Sequence, residues 1–113
     1  MKVEIRFRGL KAEDALRQHA LRRIHSRLSR FGHELRTVVL RLGDINGPKG
    51  GVDKRCQVTV RGERFAALSL DELSGDAYSA VDAAVERIGR AVGRELERAQ
   101  ACRREYANVR RAS

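Results

Sequence analysis

The hydrophobic period of this chain switches between two and about 3.6, and the order of the switches leaves few folds open. Over residues 2–8, Val3, Ile5 and Phe7 alternate with Lys2, Glu4, Arg6 and Arg8, the pattern of a half-buried strand that Gly9 ends. Over residues 12–31, Leu16, Ala20, Leu21, Ile24, Leu28 and Phe31 fall on one arc at ~100° per residue. That predicts a helix with Gly32 as its stop. Residues 35–45 return to a strand-like pattern, with Val38, Leu40 and Leu42 on the core face. Residues 46–52, Asn-Gly-Pro-Lys-Gly-Gly-Val, are turn chemistry. Residues 54–61 alternate again, Cys56, Val58 and Val60 inward against Arg55, Gln57, Thr59 and Arg61. Gly62-Glu63 reads as a hairpin turn, and Phe65–Leu70 as a fourth, shorter strand with no assignable inward face. Residues 76 to about 105 form a second helix on the stripe Tyr78, Val81, Val85, Ile88, Val92 and Leu96.

The order is therefore β-α-β-β-β-α, an α+β domain. The two strands joined through a helix should lie parallel with a right-handed crossover, and the later strands antiparallel. Two amphipathic helices then cover one face of a four-stranded mixed sheet. A chain of 113 residues suits one domain, placed at 1–106, with 107–113 as a polar, frayed tail. The longest apolar run, Val38–Val39–Leu40, excludes a membrane-spanning helix. The start, Met1-Lys2-Val3-Glu4, has no signal-peptide core. Cys56 and Cys102 are too few for a disulfide framework or a four-cysteine metal site. These features predict a protein of the reducing cytoplasm.

Lys and Arg together number 24 against 15 Asp and Glu, for a formal charge of +9. With four Lys, 24 − 4 leaves 20 Arg. A coding bias would explain the preference for Arg over Lys. It would not explain the net charge, which points to a polyanion. On the second helix Arg87, Arg90, Arg94 and Arg98 fall within roughly an 80° arc opposite the apolar stripe, while Asp82, Glu86 and Glu97 gather on one flank. Like charges at this spacing repel by a few tenths of a kcal/mol per pair, which phosphate binding would offset; the plainer alternative is a solvated face. On the first helix Arg23, Arg27 and Arg30 share one side, and Arg17 projects close to the apolar side. The open sheet face would carry Lys2, Arg6, Arg8, Arg41, Arg55 and Arg61, with Glu4 as a rare acid. Three Phe and two Tyr, most at core positions, supply no base-stacking platform. The implied contact is with the phosphates and shape of a structured RNA.

Other chemistries have little support. The Asn46–Gly51 stretch with Lys49 could cradle an anion in backbone N–H groups, or it could be a long hairpin connection; it lacks the spacing of a Walker loop. Asp44, Asn46 and Asp53 lack calcium-loop spacing. Cys56 reads as a small core residue, Cys102 lies near a helix end, and His19, His25 and His33 have no metal-ligand spacing. No catalytic residue, metal or cofactor is expected.

Two stretches resemble the ribosome hibernation-promoting factor and ribosome-associated inhibitor family, also described as sigma modulation or ribosomal S30AE-like proteins. The first is Asp14-Ala15-Leu16-Arg17, continuing through Arg23-Ile24 and Arg30-Phe31 to Val38-Val39-Leu40-Arg41-Leu42. The second is Asp76-Ala77-Tyr78-Ser79-Ala80-Val81-Asp82, followed by Arg87, Arg90 and Arg94. It is similar to the family's acidic-x-Tyr-Ala-Ala-Ile-Asp segment opening the last helix, with Lys or Arg at those three positions. The likeness covers about residues 1–100. It implies a β-α-β-β-β-α domain related in topology to double-stranded-RNA-binding domains. It also implies a place in the messenger and transfer RNA channel of the small ribosomal subunit, contacts to ribosomal RNA through basic side chains, inhibition of translation, preservation of idle ribosomes in stationary phase, and no catalysis. The stretch from Asp44 to Cys56 is longer and richer in Gly than in typical members, and resembles a divergent, short, stand-alone branch. The long form's C-terminal dimerisation domain has no counterpart, so ribosome dimers are not expected of this chain.

The expected partner is the small ribosomal subunit and its ribosomal RNA, with neither membrane nor DNA. The expected contacts are Arg87, Arg90, Arg94 and Arg98, then Arg23, Arg27, Arg30 and Lys49. The alternatives are a general structured or double-stranded RNA-binding module without ribosome specificity, and a domain whose basic surface meets an acidic protein.

Overall fold

The computed structural model describes residues 1–10, 14–45 and 53–112. Strand β1 (Lys2–Arg8) is followed by helix α1 (Asp14–Leu28) and a 3-10 segment over Ser29–Glu34. Strands β2 (Leu35–Asp44), β3 (Lys54–Gly62) and β4 (Leu68–Ser74) come next, and helix α2 (Ala77–Ala112) ends the chain. The sheet runs β1-β2-β3-β4, with β1 parallel to β2 and the other pairs antiparallel. This is the mixed sheet and element order that the changes of period predict.

Alternation decides which side of the sheet is covered. Ile5, Val38, Leu40, Leu42, Cys56, Val58 and Val60 all point to one face. There they meet Leu16, Ala20, Ile24 and Leu28 of α1 and Ala80, Val81, Ala84, Val85, Ile88 and Val92 of α2. Both helices therefore lie on the same side, and the other face stays open to solvent. The inward face of β4, undecided by its sequence, is Leu68, Leu70 and Glu72, set by antiparallel register with Val60, Val58 and Cys56. Burial drives the Cys56 thiol up to about 12, with Asp71 and Glu72 adding to the shift.

Three boundaries depart from the sequence pattern. The fourth strand is Leu68–Ser74 rather than Phe65–Leu70. Residues 63–67 are used otherwise: both Arg64 Nε and Nη2 donate to the Glu34 carboxylate at 2.8 Å, and Glu63 N donates to Glu34 O at 2.9 Å. The Phe65 ring lies against Gly62, where any side chain would collide with it. The first helix is α-helical over Asp14–Leu28 and then tightens before Phe31 into the 3-10 segment, where Gly32 (φ 54°) takes a conformation that a side chain would strain. The second helix does not end near 105. It runs to Ala112. No Gly or Pro follows Gly93, and Ala, Arg, Glu and Gln continue the helix by propensity. Residues 101–110 are all exposed, so this end projects beyond the body.

Candidate nucleic-acid interface

Helix α2 begins at a capped turn. Asp76 Oδ2 accepts from the Ser79 backbone N–H and hydroxyl, each at 3.0 Å, and these bonds hold its carboxyl below the ordinary value. Burial of Ala80, Val81, Ala84, Val85, Ile88 and Val92 sets the rotation of α2, and with it which side chains face α1.

The acidic flank of α2 turns out to be the seam between the helices. Asp82 Oδ1 lies 2.7 Å from His19 Nε2, and the His19 ring stands edge-on to Tyr78 with centroids 5.0 Å apart. Arg23 Nε lies 3.1 Å from the same oxygen, but its N–H finds no acceptor among the described residues; the contact is one of charge, with the donor misaligned. One turn on, Glu86 joins both helices. Arg27 Nε donates to its Oε2 at 3.1 Å, and Arg90 Nε lies 3.4 Å from its Oε1.

Beyond Glu86 the helices separate into a groove of about 340 Å³ lined by Arg27, Arg30, Gly89, Arg90, Gly93, Arg94 and Glu97. Four arginines there face Glu97 as the one acid of the lining. The groove depends on Gly89: a Cβ at that position would lie 2.7 Å from both Cζ and Nε of Arg27 and 2.8 Å from its Cγ. The absence of a side chain lets Arg27 cross the surface of α2. Arg30 stacks over the Phe31 ring, its Cζ 5.0 Å from the centroid. Exposed ion pairs of this kind are worth roughly 0–1 kcal/mol, so the guanidinium groups remain exchangeable for phosphate.

The expected residues thus divide. Arg27, Arg30, Arg90 and Arg94 come together. Arg87 leaves the stripe for β4, bonded to Glu72 and, at 3.5 Å, to the Asp71 carbonyl. Arg98 stands further along the helix with Glu95 at 3.1 Å, and Arg23 is engaged by Asp82. Lys49 and the Asn46–Gly51 stretch lie outside the described residues. Arg17 lies over Phe7, its Cζ 5.1 Å from the ring centroid, in keeping with its place near the apolar side. The sequence reading missed Glu86 as the joint and Gly89 and Gly93 as the floor. The available signal was two glycines spaced i, i+4 inside an arginine stripe, which marks a close approach rather than a solvated helix. Among the described residues there is no metal-ligand cluster, and no helix is long and apolar enough to cross a membrane.

Comparison with known proteins places this geometry in context. Residues 3–100 match the family described as sigma 54 modulation protein / S30EA ribosomal protein. Among solved structures, the N-terminal domain of Protein Y from Thermus thermophilus is 27% identical, covering 83% of this chain and 98% of that one, with a TM-score of 0.68. A ribosomal subunit interface protein from Coxiella burnetii shares the fold at a TM-score of 0.70 and 15% identity, covering 86% of this chain and 99% of that one. A search of curated proteins finds no match.

Proposed function

The chain belongs to the sigma 54 modulation protein / S30EA ribosomal protein family, and from that premise we propose that it binds the small ribosomal subunit through ribosomal RNA phosphates and inhibits translation or protects idle ribosomes. The family is one of ribosome-associated modulators, which supports a ribosomal partner. The observation that carries the reading is the interhelical groove, where arginines from two helices converge with a single lining acid. Guanidinium forks match phosphate oxygens two donors at a time, and a groove walled by two helices suits a folded backbone better than a point anion. Among the described residues no aromatic side chain lines the groove, so the contacts there read shape and phosphate rather than sequence.

Each phosphate contact contributes a slope of about −0.9 to log K against log salt, or roughly a fivefold gain in affinity at 0.15 M salt relative to 1 M. Replacing Arg27, Arg30, Arg90 and Arg94 by Gln should therefore weaken binding by between about 10²- and 10³-fold. Co-sedimentation with small subunits should then be lost while the far-UV circular dichroism is unchanged. Full co-sedimentation by the folded quadruple variant sinks the proposal. If a plain RNA duplex competes as well as ribosomes do, the protein is a general RNA-binding module instead.

A further inference from the structure

The sheet face turned away from the helices carries an arginine cluster of its own. In register, Arg6 lies beside Arg41, and Arg41 beside Gln57. Arg8 lies beside Gly43, and Gly43 beside Arg55. These residues line a shallow cup of about 790 Å³ at one end of the sheet. Gly43 stands between Arg8 and Arg55 in the ladder, so no side chain fills the middle of the cup. Neighbouring strands are only ~4.8 Å apart, and like charges side by side disfavour the folded sheet. Two of the four guanidinium groups are answered: Arg6 by Glu4 at 2.8 Å and Arg55 by Asp71 at 3.1 Å. Among the described residues the other two, Arg8 and Arg41, make neither hydrogen bond nor ion pair, and both are exposed.

We propose that this cup is a second phosphate-binding site, and that the chain holds two RNA segments at once, one on each side of the sheet. The inference rests on the reading of the interhelical groove as an RNA contact, and extends it to the opposite face. Phosphate needs only the donors that Arg8 and Arg41 present. The rest of the lining is Phe7, Gly9, Leu42, Asp44 and Ile45, and its one acid, Asp44, is held by Lys54 at 3.1 Å, so four arginines set the charge of the cup and favour a phosphate backbone over a protein. A ligand touching both the groove and the cup must approach from opposite sides, as the walls of a cleft in a folded RNA do. An isolated duplex can occupy one face only.

That difference sets the test. A short RNA duplex is titrated into the protein at low salt and the complexes are counted by native mass spectrometry. The wild type should take up two duplexes. The Arg8→Gln/Arg41→Gln variant and the Arg27→Gln/Arg90→Gln/Arg94→Gln variant should each take up one, and their combination none. Loss of two contacts should weaken the cup about 25-fold at 0.15 M salt. Arg41→Glu, which places an acid beside Arg6, serves as a second variant that should fold at least as well and still lose the cup. A wild type that binds one duplex, lost only with the groove variant, overturns the second site and leaves the proposed function standing. A wild type that binds no duplex, and ribosomes only weakly, overturns both. Unchanged RNA stoichiometry in the cup variants refutes the inference even if an acidic protein proves to bind there.

Discussion

Replacing Gly89 by Ala should separate binding from stability, because the two effects have opposite physical origins. The added methyl would lie 2.7 Å from Arg27 Cζ and Nε and 2.8 Å from Cγ, closer than non-bonded carbon atoms approach. The three nearest atoms all belong to one flexible side chain, so Arg27 swings out and its 3.1 Å contact with Glu86 is lost. A half-exposed ion pair contributes roughly 0–1 kcal/mol. Against that, Ala is favoured over Gly inside a helix by about 1 kcal/mol. The expected net change in unfolding free energy is therefore within about 1 kcal/mol of zero. Affinity for RNA behaves differently: one phosphate contact is displaced from the groove. The expected loss is about fivefold at 0.15 M salt, with the salt slope shallower by about 0.9. Urea denaturation measures the first quantity, and fluorescence anisotropy with labelled ribosomal RNA across a salt series measures the second. Destabilisation by about 3 kcal/mol or more, outside the window of about 1 kcal/mol around zero, would show that Gly89 serves packing. An unchanged salt slope in a stable Gly89→Ala protein would falsify the placement of Arg27 on phosphate.

The two thiols should differ sharply in reactivity. Cys56 is fully buried with its thiol pushed up to about 12, whereas Cys102 is exposed on the projecting end of α2. A thiol reagent at pH 8 should label one cysteine in the native protein and two in urea, and Cys102→Ser should abolish the native reaction. The cap at Asp76 predicts an acid-sensitive helix start. Its folded pKa is depressed, so its contribution is complete above the ordinary carboxylate value of 3.8 and fades as pH falls through the lower folded value. Asp76→Asn, which still caps but does not titrate, should show a smaller fall in Tm between pH 7 and pH 3 than the wild type, and Asp76→Ala a lower Tm at pH 7.

Much of the fold was legible because its signals are local. A period of two at Val3–Phe7 and Cys56–Val60, and of about 3.6 from Leu16 to Leu28, placed both layers and their buried faces. The boundaries that moved did so through contacts distant in sequence. Glu34, held by Arg64 and by the Glu63 backbone, draws residues 63–67 out of the ladder and delays β4. Helix α2 overruns for the opposite reason: after Gly93 no local stop exists, and polarity alone does not end a helix.

The sequence by itself determined the element order, the inward faces of three strands, the excess of arginine and the family. All of these rest on near neighbours or on composition. Helical projection also put Arg87, Arg90, Arg94 and Arg98 on one arc, but it treats them as equal. Only the tertiary structure distinguished them. Glu72 lies 15 residues from Arg87 and takes it to the sheet; Glu86 lies 59 residues from Arg27 and draws it toward Arg90. Whether a guanidinium is neutralised in place or left to meet a phosphate depends on which carboxylate the fold brings within ~4 Å, and charge attraction acts through space, not along the chain.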